Sequence, residues 1–308
     1  MGDTGGAFGR RALLLAAAVG VTGSLGVGGR AGAAPARWAA TSRRVGAFTV
    51  TPLLDAAGPF FLDRQAAFPA ATPADWARAR RLDPEAFGPG ESWQLDFRCF
   101  VVRGPRGRLA LVDTGVGPDG SPAAAWAPTP GRLPTELAHA GIDPADVDTV
   151  VLTHLHEDHF GWSVDRNGEP MFPNARYVVQ RRETEALPAG DAALAYVVEP
   201  LRAAGQLHEV DGVTRLAAAG RSGVRVVPTP GHTPGHQSVV VEGRHEQVIV
   251  TGDVLVHAVQ LVDPDVAYRF EADAEAARRT RRRLLDEAGV RRTVLATAHL
   301  NRPWVELG

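Results

Sequence analysis

Thr153-His154-Leu155-His156-Glu157-Asp158-His159 is the stretch that decides how this chain is read. Three histidines and an aspartate fall within six residues, and the apolar run Val147 to Thr153 leads directly into them. That run reads as a buried strand ending in polar residues. A strand that ends in a loop can turn such side chains toward one point above a sheet edge. Imidazole and carboxylate suit zinc and similar divalent ions. His154 and His156 share one side of an extended backbone, because side chains alternate with period two. Asp158 and His159 are adjacent and point apart, so one ion cannot easily collect all four groups, whereas two neighbouring ions can. A solvated loop with incidental histidines is the bland alternative, and this density of ligand-type residues argues against it.

Further candidates lie downstream, each at an expected strand end. Pro228-Thr229-Pro230-Gly231-His232 puts His232 in a rigid turn, with Gly231 freeing the backbone. Val250-Thr251-Gly252-Asp253 ends an apolar strand with a carboxylate, and Ala296-Thr297-Ala298-His299 ends another with an imidazole. Each is weak alone. Together with the first stretch they make five histidines and two aspartates, the donor set of a two-metal site with a shared carboxylate.

The rest of the chain supports a mixed α/β architecture. Strands are expected over Phe48–Leu54, Gln94–Arg103, Arg108–Asp113, Arg176–Gln180, Val224–Pro228, Gln237–Val241, Gln247–Thr251 and Val294–Thr297. Helices are expected over Leu133–Ala140 and Ala272–Ala288, the latter with its arginines forming a solvated face. The Pro-, Ala- and Phe-rich stretch Asp55–Ser92 holds at most one short helix around Ala74–Arg81. Many strands are joined by short turns, which suits a sandwich of mixed sheets better than a doubly wound parallel sheet.

The ordered string T-H-L-H-E-D-H, T-P-G-H, T-G-D and a late A-H resembles the metallo-β-lactamase superfamily, over about residues 46–299. The resemblance implies a four-layer αβ/βα sandwich of two mixed β-sheets with a dinuclear site at one edge. It implies that His154, His156 and His232 hold one ion, that Asp158, His159 and His299 hold the other, and that Asp253 bridges them. Leu111-Val112-Asp113-Thr114-Gly115 also matches a family signature, and Asp113 is carried over as a group that orients the metal loop. The expected cofactor is a pair of divalent ions, zinc first, with manganese, iron or cobalt able to take such sites. The implied reaction is hydrolysis by a metal-bound hydroxide of a lactone, ester or phosphoester, with Asp158 helping the proton leave. Zinc β-lactamases of the common types carry cysteine or serine where Asp253 stands. The likeness is greater to the lactonase and organophosphate-hydrolase branch, through Phe160-Gly161-Trp162 and Phe172-Pro173-Asn174-Ala175. The alternatives are β-lactam or thioester hydrolysis on the same scaffold, and a non-catalytic member that binds a metal or ligand.

Phe160, Trp162 and His257 are the expected substrate contacts, with core packing as the competing reading for His257. Phe60, Phe61, Phe68, Trp76 and Phe87 could line an apolar acyl pocket, or merely pin residues 55–92 to the sandwich. His236, in a second Pro-Gly-His unit, is expected beside the site without being a ligand. His139, His208 and His245 are expected at the surface, and Cys99 buried and inert.

Composition removes several classes. All 33 basic residues are arginine and there is no lysine, which excludes a Schiff-base or P-loop lysine. One cysteine excludes an intramolecular disulfide and a cysteine zinc knuckle. A formal net charge of -2 gives no reason to expect nucleic acid, so a small molecule is the expected partner. Residues 1–36 read as an export leader: Arg10-Arg11, the apolar run Ala12–Val21, then Ala31-Gly32-Ala33 with the small-x-small form that signal peptidase accepts. The run is too short for a permanent membrane span of ~20 residues. The paired arginines resemble a twin-arginine signal, with an ordinary secretory signal or a disordered tail as the alternatives; the resemblance implies export machinery as a partner and a secreted or periplasmic location. The hydrolase domain is then expected over residues 45–308.

Overall fold

The computed structural model describes residues 41–290 and 292–307, and the expected leader lies outside them. The strands are β1 (Arg43–Val45), β2 (Phe48–Asp63), β3 (Ser92–Arg103), β4 (Leu109–Val112), β5 (Thr149–Val151), β6 (Arg176–Gln180) and β7 (Leu207–Val210). They are followed by β8 (Thr214–Ala219), β9 (Ser222–Pro228), β10 (Gln237–Glu242), β11 (Glu246–Val250), β12 (Arg292–Ala296) and β13 (Trp304–Glu306). The helices are α1 (Arg64–Ala67), α2 (Pro73–Leu82), α3 (Leu133–His139), α4 (Glu157–Phe160), α5 (Arg181–Glu185), α6 (Glu199–Ala203), α7 (Val259–Val262) and α8 (Ala274–Val290). Among the described residues no helix is long and apolar enough to cross a membrane.

Strands β1 to β7 form one sheet in chain order, and the other runs β13-β12-β11-β10-β9-β8. Both are mixed: β4, β5, β6 and β7 are parallel neighbours in the first, and β11 and β12 in the second. Alternation of side chains then dictates the layers. Val50, Val102, Val112, Val151 and Val178 of the first sheet meet Val226, Val239, Val241, Val248 and Val250 of the second in one buried core. The residues that alternate with them along each strand turn outward. Leu111, Val150 and Tyr177 pack with Leu133 and Leu137 of α3, while Val240, Ile249 and Leu295 pack with Leu284 and Ala288 of α8. The result is the expected αβ/βα sandwich of two mixed sheets.

Three features differ from expectation. Residues 55–63 continue β2 in extended form, although Gly58 and Pro59 look like breakers. Strand β1 covers only Phe48–Val50, so the rest of β2 pairs with β3 alone and its free side tolerates proline. Residues 64–82 hold two helices, and α2 opens with a capping box between Thr72 and Asp75. The arginines of α8 do not all face water: Arg281 is fully buried.

Candidate metal centre

All the motif residues sit just beyond the carboxyl ends of strands. Asp113 follows β4, His154 to His159 follow β5, His232 follows β9, Asp253 follows β11, and His299 follows β12. Both sheets therefore contribute to one edge. The turn before His232 needs glycine: Gly231 has φ +137°, and a Cβ there would lie 2.1 Å from the Ala277 nitrogen. Asp158 and His159 are brought to the same side by the single turn of α4, which corrects the expectation that adjacent residues must diverge.

Two groups of donor atoms result, one of His154, His156, His232 and Asp253 and one of Asp158, His159 and His299, each able to hold an ion. In the first, His156 Nδ1 lies 3.0 Å from His154 Nε2 and 2.8 Å from His232 Nε2. In the second, His159 Nε2 and His299 Nε2 are 3.2 Å apart, and Asp158 Oδ2 lies 3.4 Å from His299 Nε2. Asp253 faces both. Its Oδ2 is 3.2 Å from His232 Nε2, and its Oδ1 is 3.2 Å from His159 Nε2 and 3.1 Å from His299 Nε2. Tetrahedral coordination at about 2.0 Å sets ligand atoms about 3.3 Å apart, close to these spacings.

The outer nitrogens fix the tautomers. His159 Nδ1 meets the Asp113 carboxylate at 2.9 Å, and His299 Nδ1 meets the Asp96 carbonyl at 2.9 Å. Both partners can only accept, so each Nδ1 carries a proton and, in the neutral ring, each Nε2 presents a lone pair. The Thr153 hydroxyl donates to Asp113 and accepts from His154 Nδ1 at 3.1 Å, leaving His154 Nε2 as a lone pair too. Lone pairs facing each other at this distance repel unless a cation lies between them. Asp253 Oδ1 is moreover buried without a hydrogen-bond partner. The donor set fits divalent ions on both counts.

The electrostatics follow from burial and this crowding. Burial pushes the His232 imidazole down to about 3 and lowers His154 well below its ordinary value. Burial would also lower His159, but Asp253, Asp158 and Asp113 together raise it well above the usual histidine range. Burial would raise Asp253, yet the imidazoles of His299, His159 and His232 hold it well below the carboxylate range. Asp113 takes a left-handed φ of +59°, held by bonds from Thr153 N–H at 2.7 Å, the Thr153 hydroxyl and His159.

His236 stands beside the cluster with both ring nitrogens engaged. Its Nε2 accepts the Asp253 N–H at 2.9 Å, and its Nδ1 meets Thr229 Oγ1 at 2.8 Å. It thus fastens the backbone of Asp253. The residues expected to touch substrate are placed otherwise. Phe160 is fully buried in the core under the first sheet, against Tyr196. Trp162 turns inward and donates to Asp55 at 3.1 Å. His257 sits in a box of Phe68, Trp76, Phe87 and Trp93, with ring centroids at 5.4–5.6 Å, so those aromatics enclose a histidine and do not form an open pocket. Phe60 and Phe61 pack against Trp126 and Phe270. His139, His208 and His245 are exposed and Cys99 is buried.

Several residues carry no motif and escaped the sequence reading. Asp55 is buried and accepts from Val116 N–H, Leu133 N–H and Trp162, binding the loop after β4 to α3; burial still pushes its carboxyl up to about 6. Glu183 accepts from Leu155 N–H and Gly235 N–H, both at 2.9 Å, and so ties the His154–His156 turn to the Pro-Gly-His turns. Tyr268 stacks on His232 at 6.0 Å and 11°, and its hydroxyl has no hydrogen bond to the described residues. Burial, reinforced by Asp253 and Asp158, raises the phenol well above its ordinary value, so it remains a donor.

Fold and site define a class, and comparison with known proteins agrees: the chain belongs to the metallo-beta-lactamase superfamily, whose family model matches residues 98–290. Metallo-beta-lactamase domain-containing protein 1 of Mus musculus is 36% identical over 224 residues, covering 71% of this chain and 68% of that protein. N-acyl homoserine lactonase AttM of Azorhizobium caulinodans is 41% identical over 106 residues, covering 33% of this chain and 38% of the relative. An N-acyl homoserine lactonase of Bacillus sp is 29% identical, with 61% of its length covered, so the chain spans well under the full length of these lactonases. Among solved structures, the dizinc quorum-quenching lactonase AidC matches with TM-score 0.70 at 19% identity, over 87% of this chain and 97% of the other. The hydrolase AbOPH matches with TM-score 0.68 at 22% identity, with the same coverage.

Proposed function

We propose that the chain is an exported, dinuclear metal-dependent hydrolase of lactones or related esters that carry an apolar substituent. The observation that carries this reading is Asp253, whose two carboxylate oxygens face two separate sets of imidazoles. Divalent ions bound there, zinc or a comparable metal, would polarise a substrate oxygen and bring the pKa of water toward neutrality. His154, His156 and His232 would hold one ion and Asp158, His159 and His299 the other. Asp158 is the carboxylate of the second set that retains some contact with solvent, its side chain 10% exposed. In this reading it would accept the proton of the attacking water and pass it to the leaving oxygen.

The apolar preference is supported by a chain of aromatic rings running from one set to the other. Phe97 stands edge-on to His299 at 5.6 Å and touches Trp126; Trp126 meets Phe61, Phe61 meets Phe270, Phe270 meets Tyr268, and Tyr268 covers His232. The likeness to AttM favours a lactone over the other esters. The test is turnover of a panel of lactones, aryl esters, phosphotriesters and β-lactams by protein of measured metal content. Lactone hydrolysis should be abolished by a chelator and restored by zinc. Two bound ions with no turnover on any of the panel would instead make this a non-catalytic binder. Export rests on residues 1–36 as a twin-arginine leader.

A further inference from the structure

Helix α8 grips two of the three ligand-bearing loops of the second sheet, those of His232 and Asp253, from two consecutive residues. Thr280 Oγ1 donates to the Pro230 carbonyl at 2.7 Å, two residues before His232. Arg281 Nη1 donates to the Val254 carbonyl at 3.2 Å, one residue after Asp253. The remaining donors of Arg281 hold the far end of the same loop: Nε bonds Pro264 O at 2.8 Å, Nη2 bonds Val266 O at 3.2 Å, and Nη1 pairs with Glu271 Oε1 at 2.9 Å. Both partners of that ion pair have side chains only 1% exposed. Just ahead of the helix, Ala272 N–H bonds the His232 carbonyl at 2.9 Å and Asp273 N–H bonds the Gly231 carbonyl at 3.0 Å.

We propose that Thr280 and Arg281 are positioning residues that set the spacing between His232 and Asp253, and so the grip of the site on the ion those two share. This rests on the metal-centre reading above. The two side chains touch neither ligand; each holds a backbone carbonyl within two residues of one. A rigid helix between them converts two loop positions into one fixed separation, here 3.2 Å from His232 Nε2 to Asp253 Oδ2. A buried guanidinium suits the task because its planar fork satisfies several carbonyls at once without needing solvent. The groups that orient metal ligands commonly change metal affinity 10–100-fold when lost.

The test uses the full chain loaded with zinc or cobalt. Thr280→Val removes one hydroxyl while keeping the shape of the side chain. Arg281→Lys keeps the charge for Glu271 but cannot reach all four acceptors. Thr293→Val is the control: it deletes a buried hydroxyl bonded to Gln247 on β11, remote from the ligand loops. Release of metal to a competing chelator, the visible spectrum of the cobalt form and the melting temperature of the metal-free protein are measured for each. Thr280→Val and Arg281→Lys should release one ion roughly 10-fold faster and alter the cobalt spectrum. Thr293→Val should lower the melting temperature alone. If Thr280→Val only lowers the melting temperature, as the control does, and releases metal at the wild-type rate with an unchanged spectrum, the proposal is overturned. A wild-type protein that binds no divalent ion would refute the metal centre itself, a distinct outcome.

Discussion

Replacing His257 by asparagine should make the protein less sensitive to acid. In the structure, His257 Nδ1 accepts the Val259 N–H at 3.0 Å, so the ring proton sits on Nε2, which is buried without a partner among four aromatic rings. Protonation would place a second donor against Val259 N–H and a charge in an apolar box, near the Arg64 guanidinium. Burial, then Arg64, push the imidazole from 6.5 down to about 3. The unfolded chain therefore binds this proton first. The folded state suffers no penalty above pH 6.5 and loses stability as pH falls from 6.5 toward 3. At pH 5 the loss is about 1.5 units at 1.36 kcal/mol each, on the order of 2 kcal/mol from this residue. Asparagine Oδ1 can accept the same Val259 N–H, and it does not titrate. Its smaller volume costs stability equally at both pH values. Urea unfolding of both proteins at pH 7.5 and pH 5 isolates the effect, because the other buried histidines cancel in the comparison. The wild type should lose ~2 kcal/mol more than His257→Asn over that interval. Equal losses would show that the box is wet or that His257 is not held neutral.

Two further outcomes follow from the site and one from the proposed leader. His232→Ala should cost far more metal affinity than His236→Ala, measured by metal titration, because only His232 presents a ring nitrogen to the cluster; the reverse order would move the ligand to the second Pro-Gly-His unit. Tyr268 stacks on His232, and its buried phenol is influenced by Asp253 and Asp158; Tyr268→Phe should lower kcat on the preferred substrate ~10-fold or more at unchanged metal content and melting temperature if that hydroxyl donates to charge developing on the substrate, and an unchanged kcat would leave the tyrosine as packing for His232. If residues 1–36 are the proposed twin-arginine leader, read by a receptor through its guanidinium forks, then replacing Arg10 and Arg11 both by lysine should block export and leave active enzyme in the cytoplasm; normal export of that form would favour an ordinary leader.

The candidate centre was legible because its residues are concentrated at strand ends, where an apolar run gives way abruptly to imidazole and carboxylate. Such a boundary survives in one dimension. Other parts depend on who the neighbour is. Arg281 belongs to an arginine-rich helix and looks solvated, yet the loop folded over it supplies the acceptors. Asp55 and Glu183 are lone acids whose partners are backbone N–H groups far along the chain, so no spacing announces them. The continuation of β2 past Pro59 was hidden for a related reason: proline is tolerated there because β1 is short, a fact about the adjacent strand. His257 and Phe68 illustrate the converse, an aromatic-rich stretch that suggests a cavity and proves to be filled by a side chain from elsewhere.

The site's division between the two sheets has a consequence for assembly. The half of the chain ending at β7 carries His154, His156, Asp158 and His159, and the half beginning at β8 carries His232, Asp253 and His299. Neither half owns a complete set for either ion. Tight metal uptake would then be reserved for chains whose halves have docked in register, and a misassembled or clipped chain would stay empty. Occupancy would work as a molecular receipt for correct folding, issued before any substrate arrives.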